Sequence, residues 1–538
     1  MRELKQRSSY LLLGMLLTMS LCACSLTQEK NGKPDSQNNA GVTELATWVN
    51  ENTLLSEASN SSYKEDTAIK ITAEGDQFSS TGRGVVVSGN TVTINTEGCY
   101  LLSGIMNNGQ VIVDADNGTD IRLVLDNFEI HNDAGAAIYV ANAGTITITL
   151  KEGTKNLLEQ TGTNDSGQEV QDAALYSTDD LIINGTGTLN VLGNYCHGIK
   201  AKDTLLLEEV TMEVSSKEDA INANMDILMK SGTYKVSAGD DGVHTDTNFT
   251  MQGGTLEVTK SYEGLEGMQV WIEDGEISIT ANDDAVNIAS NTTSGNGNNQ
   301  EGNPREFGRG NPEGMKTQDA TGFVLVVSGG KIRILAGGDG IDSNGSIYMT
   351  GGEIQISGPT NNGNGSLDYA GSCTVQGGVF TMAGAAGMAQ TPDNNSSQIG
   401  VMVYFNGTVA KGTTVSLKDE NGNEIISITP EVSYQCAYFS TPELKQGATY
   451  SLWQGDAKAC DIVMNTTINY YSSDGTETQG GFGGFGGGMP QGGFDGGMGH
   501  GGRKPEEMEP SEGMTPPEGM TPPEGMTPPE GMTPPDGL

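Results

Sequence analysis

From about Ile69 onward, short runs of β-branched and other apolar residues alternate with polar residues and are separated by Gly, Asn and Asp. An alternation with a period of two residues indicates strands that bury one face. These runs recur at a nearly constant interval of 22, 22, 22 and 21 residues. The aligned segments begin at Ile199, Ile221, Val243, Leu265 and Val286. The pattern returns at Ile341 and, less regularly, near Ser366.

Several positions are apolar in each aligned segment, for example Leu205, Ile227, Phe249 and Val270. One repeat cannot bury such positions alone, but stacked repeats form a continuous interior. Glycines recur between the second and third strands, where they supply positive φ angles for a turn. The sequence therefore predicts an all-β protein, a right-handed parallel β-helix with about 22 residues per coil. A β-propeller would need blades about twice as long.

Composition divides the chain into segments. Residues 1–23 are predicted to be a signal peptide with a lipobox, and residues 24–66 a polar tether. The β-helix is predicted over residues 67–398 with an insertion over residues 289–321, followed by a small β cap over residues 399–470. Residues 471–538 are Gly-rich and then repeat Glu-Gly-Met-Thr-Pro-Pro, which predicts a disordered tail.

Basic residues precede an apolar run near the N-terminus, and Leu21-Cys22-Ala23-Cys24 follows it. This arrangement is typical of an exported bacterial lipoprotein that is cleaved before Cys24 and carries a lipid on its sulfur. No other stretch approaches the roughly 18 apolar residues of a transmembrane helix. We therefore expect a monomer at the extracellular face of the bacterial cell membrane, anchored there only by its lipid.

The formal net charge of −41 excludes a nucleic-acid-binding protein, because contact with phosphates requires a basic face. The four histidines are too few and too scattered for a zinc cluster. Five cysteines remain besides Cys22 and Cys24, and they are far apart. They are predicted to be small buried residues, with one bridge between Cys436 and Cys460 as the alternative.

A carboxylate stands two residues before the start of successive repeats. This row consists of Asp219, Asp241, Glu263, Asp284 and Asp339. The residues just before it are Glu218, Asp240, Tyr262, Asp283 and Gly338. Equivalent positions on neighbouring parallel strands lie about 4.8 Å apart. Carboxylates at that spacing repel one another and raise their own pKa values, so the sequence predicts a neutralising cation.

Further donors follow each row residue by three to five positions. They are Asn222, Asn224, His244, Asp246, Glu266, Asn287 and Asp342. Calcium binds about six to eight oxygens drawn from carboxylates and carbonyls, and these rows supply that mixture. We therefore predict calcium as the cofactor, with His244 outside the direct ligand set. The alternative is a solvated acidic edge without a bound ion.

Three motifs carry a family resemblance: Gly239-Asp240-Asp241-Gly242, Ser261-Tyr262-Glu263-Gly264-Leu265-Glu266-Gly267 and Asn282-Asp283-Asp284-Ala285. With Ile221-Asn222-Ala223-Asn224 they resemble the carbohydrate-binding β-helix proteins secreted by cellulose- and pectin-degrading anaerobes. The resemblance covers roughly residues 70 to 470.

The resemblance implies a fold similar to calcium-dependent pectate lyases, with binding to cellulose-like or polygalacturonate chains and no established cleavage. It also implies a calcium ligand set on the acidic motifs. Transferred by position, that set is Asp219, Asp240, Asp241, Glu263, Glu266, Asp283 and Asp284. Tyr262 and Glu263 depart from the Asp-Asp pattern of the neighbouring repeats.

Tyr262 lies in the acidic region, and Trp271 is predicted to point outward beside it, so both are candidate sugar-stacking residues. Lys260 is a third candidate sugar contact. We predict a non-catalytic polysaccharide-binding protein. Two alternatives remain: a calcium-dependent pectate lyase in which Lys260 is the base, and a structural adhesin or stalk in which calcium only stabilises the fold.

Overall fold

The computed structural model describes residues 61–162, 171–289 and 322–480, and its regular structure there consists almost entirely of β-strands. The one exception in these ranges is the 3₁₀ turn Glu65–Thr67. No helix in the described ranges is long and apolar enough to cross a membrane. The all-β prediction is therefore confirmed.

Ten strands form the N-terminal part. They are β1 (Ile69–Gly75), β2 (Phe78–Ser80), β3 (Val85–Ser88), β4 (Thr91–Ile94), β5 (Gly98–Met106), β6 (Gln110–Asp114), β7 (Ile121–Asn132), β8 (Ile138–Asn142), β9 (Thr145–Leu150) and β10 (Lys155–Gln160). Two antiparallel hairpins, β1–β2 and β3–β4, lie at the start. The other pairings are parallel, and β7 is long enough to pair with both β9 and β10.

Groups of three short strands follow, and each strand pairs in parallel with the equivalent strand of the next group. The first ladder contains β11 (Ala173–Ser177), β14 (His197–Ala201), β17 (Ile221–Ala223), β20 (Val243–Thr245), β23 (Leu265–Glu266), β26 (Val286–Ile288), β29 (Ile341–Ser343) and β32 (Asp368–Tyr369). The second ladder contains β12 (Asp180–Asn184), β15 (Leu205–Glu208), β18 (Ile227–Met229), β21 (Asn248–Met251), β24 (Gln269–Ile272), β27 (Val324–Val327), β30 (Ser346–Met349) and β33 (Cys373–Val375). The third ladder contains β13 (Thr188–Gly193), β16 (Val210–Ser216), β19 (Gly232–Ser237), β22 (Thr255–Ser261), β25 (Glu276–Ala281), β28 (Lys331–Ala336), β31 (Glu353–Ser357) and β34 (Val379–Gly384).

The register of these ladders matches the repeat alignment predicted from the sequence. Ile199 pairs with Ile221, and the pairing continues through Val243, Leu265, Val286 and Ile341. The repeat predicted near Ser366 is shifted by one residue, because Asp342 pairs with Asp368. The connection between β31 and β32 is longer than in earlier repeats, which accounts for the less regular sequence pattern there.

Glycine occupies the corner between the second and third ladders in most repeats. Gly254 has a φ of +89°, and a Cβ at this position would lie 2.6 Å from the carbonyl oxygen of Gly232. Positive φ recurs at the equivalent glycines, including Gly275, Gly330 and Gly352. The tight corner therefore requires a residue without a side chain, as the sequence predicts.

Side chains at alternate strand positions point inward and form one continuous apolar cluster that extends from Ile71 to Tyr438. In β22, for example, Leu256 and Val258 are buried while Thr255 and Glu257 are exposed. Each inward residue packs against its equivalents in the repeats before and after it. Burial of these rows is the main favourable contribution to folding.

Seven further strands form a C-terminal region with its own apolar cluster. They are β35 (Gly400–Val409), β36 (Val415–Lys418), β37 (Glu424–Ile428), β38 (Tyr434–Ser440), β39 (Thr449–Gln454), β40 (Ala457–Val463) and β41 (Ile468–Ser472). β36 pairs antiparallel with β37, and the turn between them contains Gly422. β38 pairs antiparallel with β34, so it covers the edge of the third ladder, which would otherwise be open.

All five cysteines in the described residues are free, so the bridge between Cys436 and Cys460 is not formed. Cys436 is buried, and its sulfur lies 3.3 Å from the carbonyl oxygen of Ala385.

Several predicted segments lie outside the described residues. They are the signal peptide, Cys24, residues 24–60 of the predicted tether, insertion residues 290–321 and tail residues 481–538. β41 continues to Ser472, past the boundary predicted at residue 470.

Replacing Phe249 by Ala tests the stacked interior. Phe249 is 1% exposed and pairs in register with Ile227 and Val270, so the substitution leaves a cavity that neighbouring repeats cannot close. We expect the free energy of unfolding to fall by about 3–5 kcal/mol in equilibrium denaturation. Thr250→Ala, on the outward side of the same strand, should change it by less than about 1 kcal/mol. Equal effects of the two substitutions would contradict the inward assignment.

Candidate functional site

The first ladder brings two rows of polar side chains into register. The first row, just before the strands, contains Asp219, Asp241, Glu263, Asp284 and Asp339, the five positions predicted from the sequence. Its register follows from the backbone, because Ala220 N–H donates to the carbonyl of Asp241 and Gly242 N–H to that of Glu263. The same contact joins Gly264 to Asp284 and Ala285 to Asp339.

The second row lies within the strands, three residues after the first. Strand pairing aligns its members Asn222, His244, Glu266, Asn287, Asp342 and Asp368. These strands are only two or three residues long, so the turns on both sides hold the first-row side chains close to the second row. Short strands in strict register therefore build one polar surface from many repeats.

Side chains of the first row also bond to the backbone of the next repeat. Asp241 N–H donates to Oδ1 of Asp219 at 3.2 Å, and Asp339 N–H donates to Oδ1 of Asp284 at 2.6 Å. These bonds join Asp219 and Asp284 to the repeat that follows each of them. At Asp284, this hydrogen bond stabilises the ionised form and partly opposes the effect of burial on the pKa of this carboxyl.

The first cluster of potential ligands has five members, Asp219, Asp241, His244, Glu263 and Glu266. Asp219, Asp241, His244 and Glu266 are between 5% and 8% exposed. Ligand atoms of Asp219, Asp241 and His244 lie within 4.8 Å of one another, as do those of Asp241, Glu263 and Glu266. His244 Nδ1 lies 2.9 Å from Asp241 Oδ2 and 3.3 Å from Glu266 Oε2, while its Nε2 lies 3.3 Å from Asp246 Oδ1.

His244 is the cationic partner inside this first cluster. Burial alone would lower its pKa, but hydrogen bonds to Asp241, Asp246 and Glu266 raise it well above its ordinary value. Among the described residues Glu263 has no cationic partner, and burial together with the charges of Asp241 and Glu266 raises its pKa to about 9. One imidazolium therefore leaves this group of carboxylates with unbalanced negative charge.

Asp284, Asp339 and Asp342 form the second cluster, with ligand atoms within 4.8 Å of one another. Burial is the largest cause that raises their pKa values, to about 8, 7 and 6 respectively. Repulsion adds to this effect, and Asp368 acts on Asp342 in the same way. Among the described residues, no Lys, Arg or His forms an ion pair with these three carboxylates.

An outer row lies beside the first row, one residue earlier in each repeat. Asp240 and Tyr262 are exposed, whereas Glu218 and Asp283 are partly buried. Backbone bonds align them, since Tyr262 N–H donates to the carbonyl of Asp240 and Asp283 N–H to that of Tyr262. A side-chain hydrogen bond to Asp283 is the largest cause that raises the pKa of Tyr262, to about 12. Asp240 and Tyr262 are therefore the members of the outer row that are most open to solvent.

Other predicted residues lie apart from the rows. Asn224 is exposed in the turn after β17, and Lys260 is exposed near the end of β22 in the third ladder. Trp271 is on β24 in the second ladder, paired with Thr250 and Val326. It does point outward, as predicted, but it does not join the stacked acidic rows.

One neighbouring group was missed by the sequence interpretation. Asp172, Cys196 and His197 have ligand atoms within 4.8 Å of one another. His197 continues the first row, because Asp219 N–H donates to its Nδ1 at 3.2 Å. It stands two residues before Ile199, the start of the first aligned segment, so the repeat alignment itself contained this signal.

Comparisons with known proteins agree with a carbohydrate-binding assignment. A carbohydrate-binding domain-containing protein from Acetivibrio thermocellus is 34% identical over 144 residues, which cover 26% of this chain and 50% of that protein. The chain thus spans about half the length of this curated relative. A solved structure, a gadolinium derivative of the polysaccharide lyase-like protein from C. thermocellum, is 26% identical, with a TM-score of 0.38. It covers 40% of this chain and 92% of that one, and at this TM-score it does not establish a shared fold.

A family profile described as carbohydrate-binding domain-containing protein matches residues 88–363, which include the whole first row and every member of the second row except Asp368. The match extends over more than half of the chain's 538 residues. The chain therefore belongs to the carbohydrate-binding domain-containing protein family.

Proposed function

We propose that this protein is a non-catalytic, lipid-anchored protein of the bacterial cell surface that binds an acidic polysaccharide through calcium held on the acidic rows. The observation that carries the proposal is the second cluster, in which Asp284, Asp339 and Asp342 converge without a basic partner among the described residues. Burying three like charges is unfavourable unless a proton or a cation neutralises them.

Calcium fits the donor set better than a softer metal does. The second cluster offers only oxygen ligands, and Asn287 and Asp368 add oxygens in the same row. Calcium prefers carboxylate and carbonyl oxygens and accepts irregular geometry. In the first cluster, Asp219, Glu263 and Glu266 supply oxygens, whereas His244 already neutralises part of the charge. The second cluster is therefore the stronger calcium site.

Calcium on these rows would neutralise most of the local negative charge and offer uronate carboxylates a cation to coordinate. Without it, a chain with a formal net charge of −41 repels polyanions. Asp240, Asp283 and Tyr262 in the outer row are accessible to a glycan lying along the ladder. Asp240 beside the first cluster and Asp283 beside the second would each add an oxygen to an ion bound there, while Tyr262 offers a stacking surface.

The in-register ladders support the finer fold assignment, a right-handed parallel β-helix with three strands per coil. Parallel strands joined by crossovers are right-handed in about 98% of cases. The signal sequence and Cys24 support export and lipid attachment, and both lie outside the described residues. Lys260 is exposed and belongs to the third ladder, so its position does not favour a role as a lyase base.

Calcium and protons should compete for the second cluster. Raised folded-state pKa values mean that the metal-free folded protein retains protons that the unfolded chain has released above about pH 4. The stability gained from these protons is lost as the pH rises through about 6, 7 and 8, the values for Asp342, Asp339 and Asp284. In differential scanning calorimetry, we expect the Tm of chelated protein to fall from pH 5 to pH 8.

Added calcium should raise the Tm increasingly over the same interval. The control is Asp284→Asn with Asp339→Asn, which removes two of the titrating groups and should flatten the pH dependence of the chelated protein. A chelated protein whose Tm is constant or rises between pH 5 and pH 8 would contradict the buried, metal-free carboxylate cluster.

Retention on polygalacturonate gel tests the function itself. The protein should be retained with calcium and released by chelator, and the Asp284→Asn, Asp339→Asn variant should lose at least about tenfold in affinity, because two charge-assisted contacts to the ion are removed. A matched control, Asp120→Asn with Glu257→Gln, removes the same charge from exposed positions outside the rows and should bind normally.

Retention that is unaffected by chelator and by the Asp284→Asn, Asp339→Asn variant would reject the proposal. A calcium-dependent Tm increase without affinity for polygalacturonate would instead indicate a purely structural cation, as in an adhesin or stalk. Release of unsaturated uronides during the assay, followed by absorbance, would reject the non-catalytic assignment.

A further inference from the structure

We infer that the second ladder carries a separate, cation-independent binding face for a neutral, extended β-linked glycan, centred on Trp271 and Tyr348. This inference rests on the proposed polysaccharide-binding function but uses different residues, a different ladder and a different ligand chemistry. The acidic rows occupy the first ladder, whereas Trp271 lies on β24 and Tyr348 on β30.

The two aromatic residues belong to one straight row. Strand pairing aligns Thr250 with Trp271, Trp271 with Val326, and Val326 with Tyr348, and none of these pairings contains a register shift. Two strand spacings separate Trp271 from Tyr348, or about 9.6 Å. That separation is close to the length of the disaccharide repeat in an extended β-1,4-linked chain. Both rings can therefore stack on alternate sugar units of one chain.

Burial shows that both rings lie on the outward face. Their chain neighbours Val270, Ile272, Ile347 and Met349 are at most 2% exposed and form part of the interior, whereas Trp271 and Tyr348 are partly exposed. Earlier in the same row, Ile182, Leu206 and Leu228 are at most 5% exposed. The accessible part of the row therefore begins at Thr250 and includes both aromatic residues.

A row of neutral polar side chains runs beside the aromatic row. Each member is the residue directly after the last inward residue of β21, β27, β30 or β33. Backbone hydrogen bonds between successive repeats keep these positions in register. The exposed members are Gln252, Ser328, Thr350 and Gln376. Glu273 is the one carboxylate in this row, and it accepts a hydrogen bond from Gln252 Nε2 at 3.2 Å.

This combination suits an uncharged sugar chain. Aromatic rings stack on the apolar faces of sugar rings, and amides and hydroxyls both donate to and accept from sugar hydroxyls. The row contains no carboxylate pair that would require a cation, in contrast to the first ladder. Binding here should therefore be insensitive to chelator, whereas binding of an acidic glycan should depend on calcium.

Depletion assays with insoluble β-1,4-glucan and with polygalacturonate, each with and without chelator, test both faces together. Trp271→Ala and Tyr348→Ala should each weaken binding to the neutral glucan by about tenfold, in the presence or absence of chelator, and leave polygalacturonate binding unchanged. Trp271→Phe keeps a stacking ring and should retain most of the affinity. Tyr195→Ala removes an exposed tyrosine outside the row and is the matched control.

Unchanged binding of the two alanine variants to the neutral glucan would overturn the inference, as would a wild-type protein that does not bind it at all. Neutral-glucan binding that chelator abolishes would also overturn it, since it would assign both ligands to the acidic rows. The polygalacturonate arm decides the proposed function independently. Normal retention of the alanine variants in that arm shows that they are folded.

Discussion

Parallel pairing in strict register is the constraint on which the rest of the structure depends. It places chemically equivalent side chains of successive repeats about one strand spacing apart, whatever their chemistry. For inward apolar side chains this arrangement is favourable, because each repeat buries the face of the next. For carboxylates it is unfavourable, because burial, together with the charges of neighbouring carboxylates, raises the pKa values of Glu263, Asp284 and Asp339.

The two acidic clusters differ in whether a basic side chain offsets the repulsion between their carboxylates. In the first, His244 lies between Asp241 and Glu266 and supplies a positive charge from within the protein. In the second, Asp284, Asp339 and Asp342 have no basic partner among the described residues. A row of this kind does not stabilise a metal-free protein, and this is the reason for the proposal that the second cluster binds an ion. The strict register that brings like charges close together also holds these carboxylates in place as potential metal ligands.

The repeat spacing made much of this arrangement predictable. Because the period of 22 residues is nearly constant from Ile199 to Val286, the first-row carboxylates and the inward apolar positions could be aligned without coordinates. The position of Trp271 could not be derived in the same way. Its outward direction follows from alternation, but assignment to the second ladder depends on where each repeat turns. The ion pairs of His244 depend on side-chain rotamers, which a sequence pattern does not specify.

Calcium titration calorimetry of the full chain at pH 7, repeated in two buffers of different ionisation enthalpy, tests the calcium site most directly. Since burial raises the pKa of Asp284 to about 8 and that of Asp339 to about 7, calcium binding at pH 7 should release protons, and the measured heat should differ between the buffers. Saturable binding with proton release, greatly weakened in the Asp284→Asn, Asp339→Asn variant, is the expected result. Absence of binding, or equal binding by that variant, would contradict a calcium site on the acidic rows.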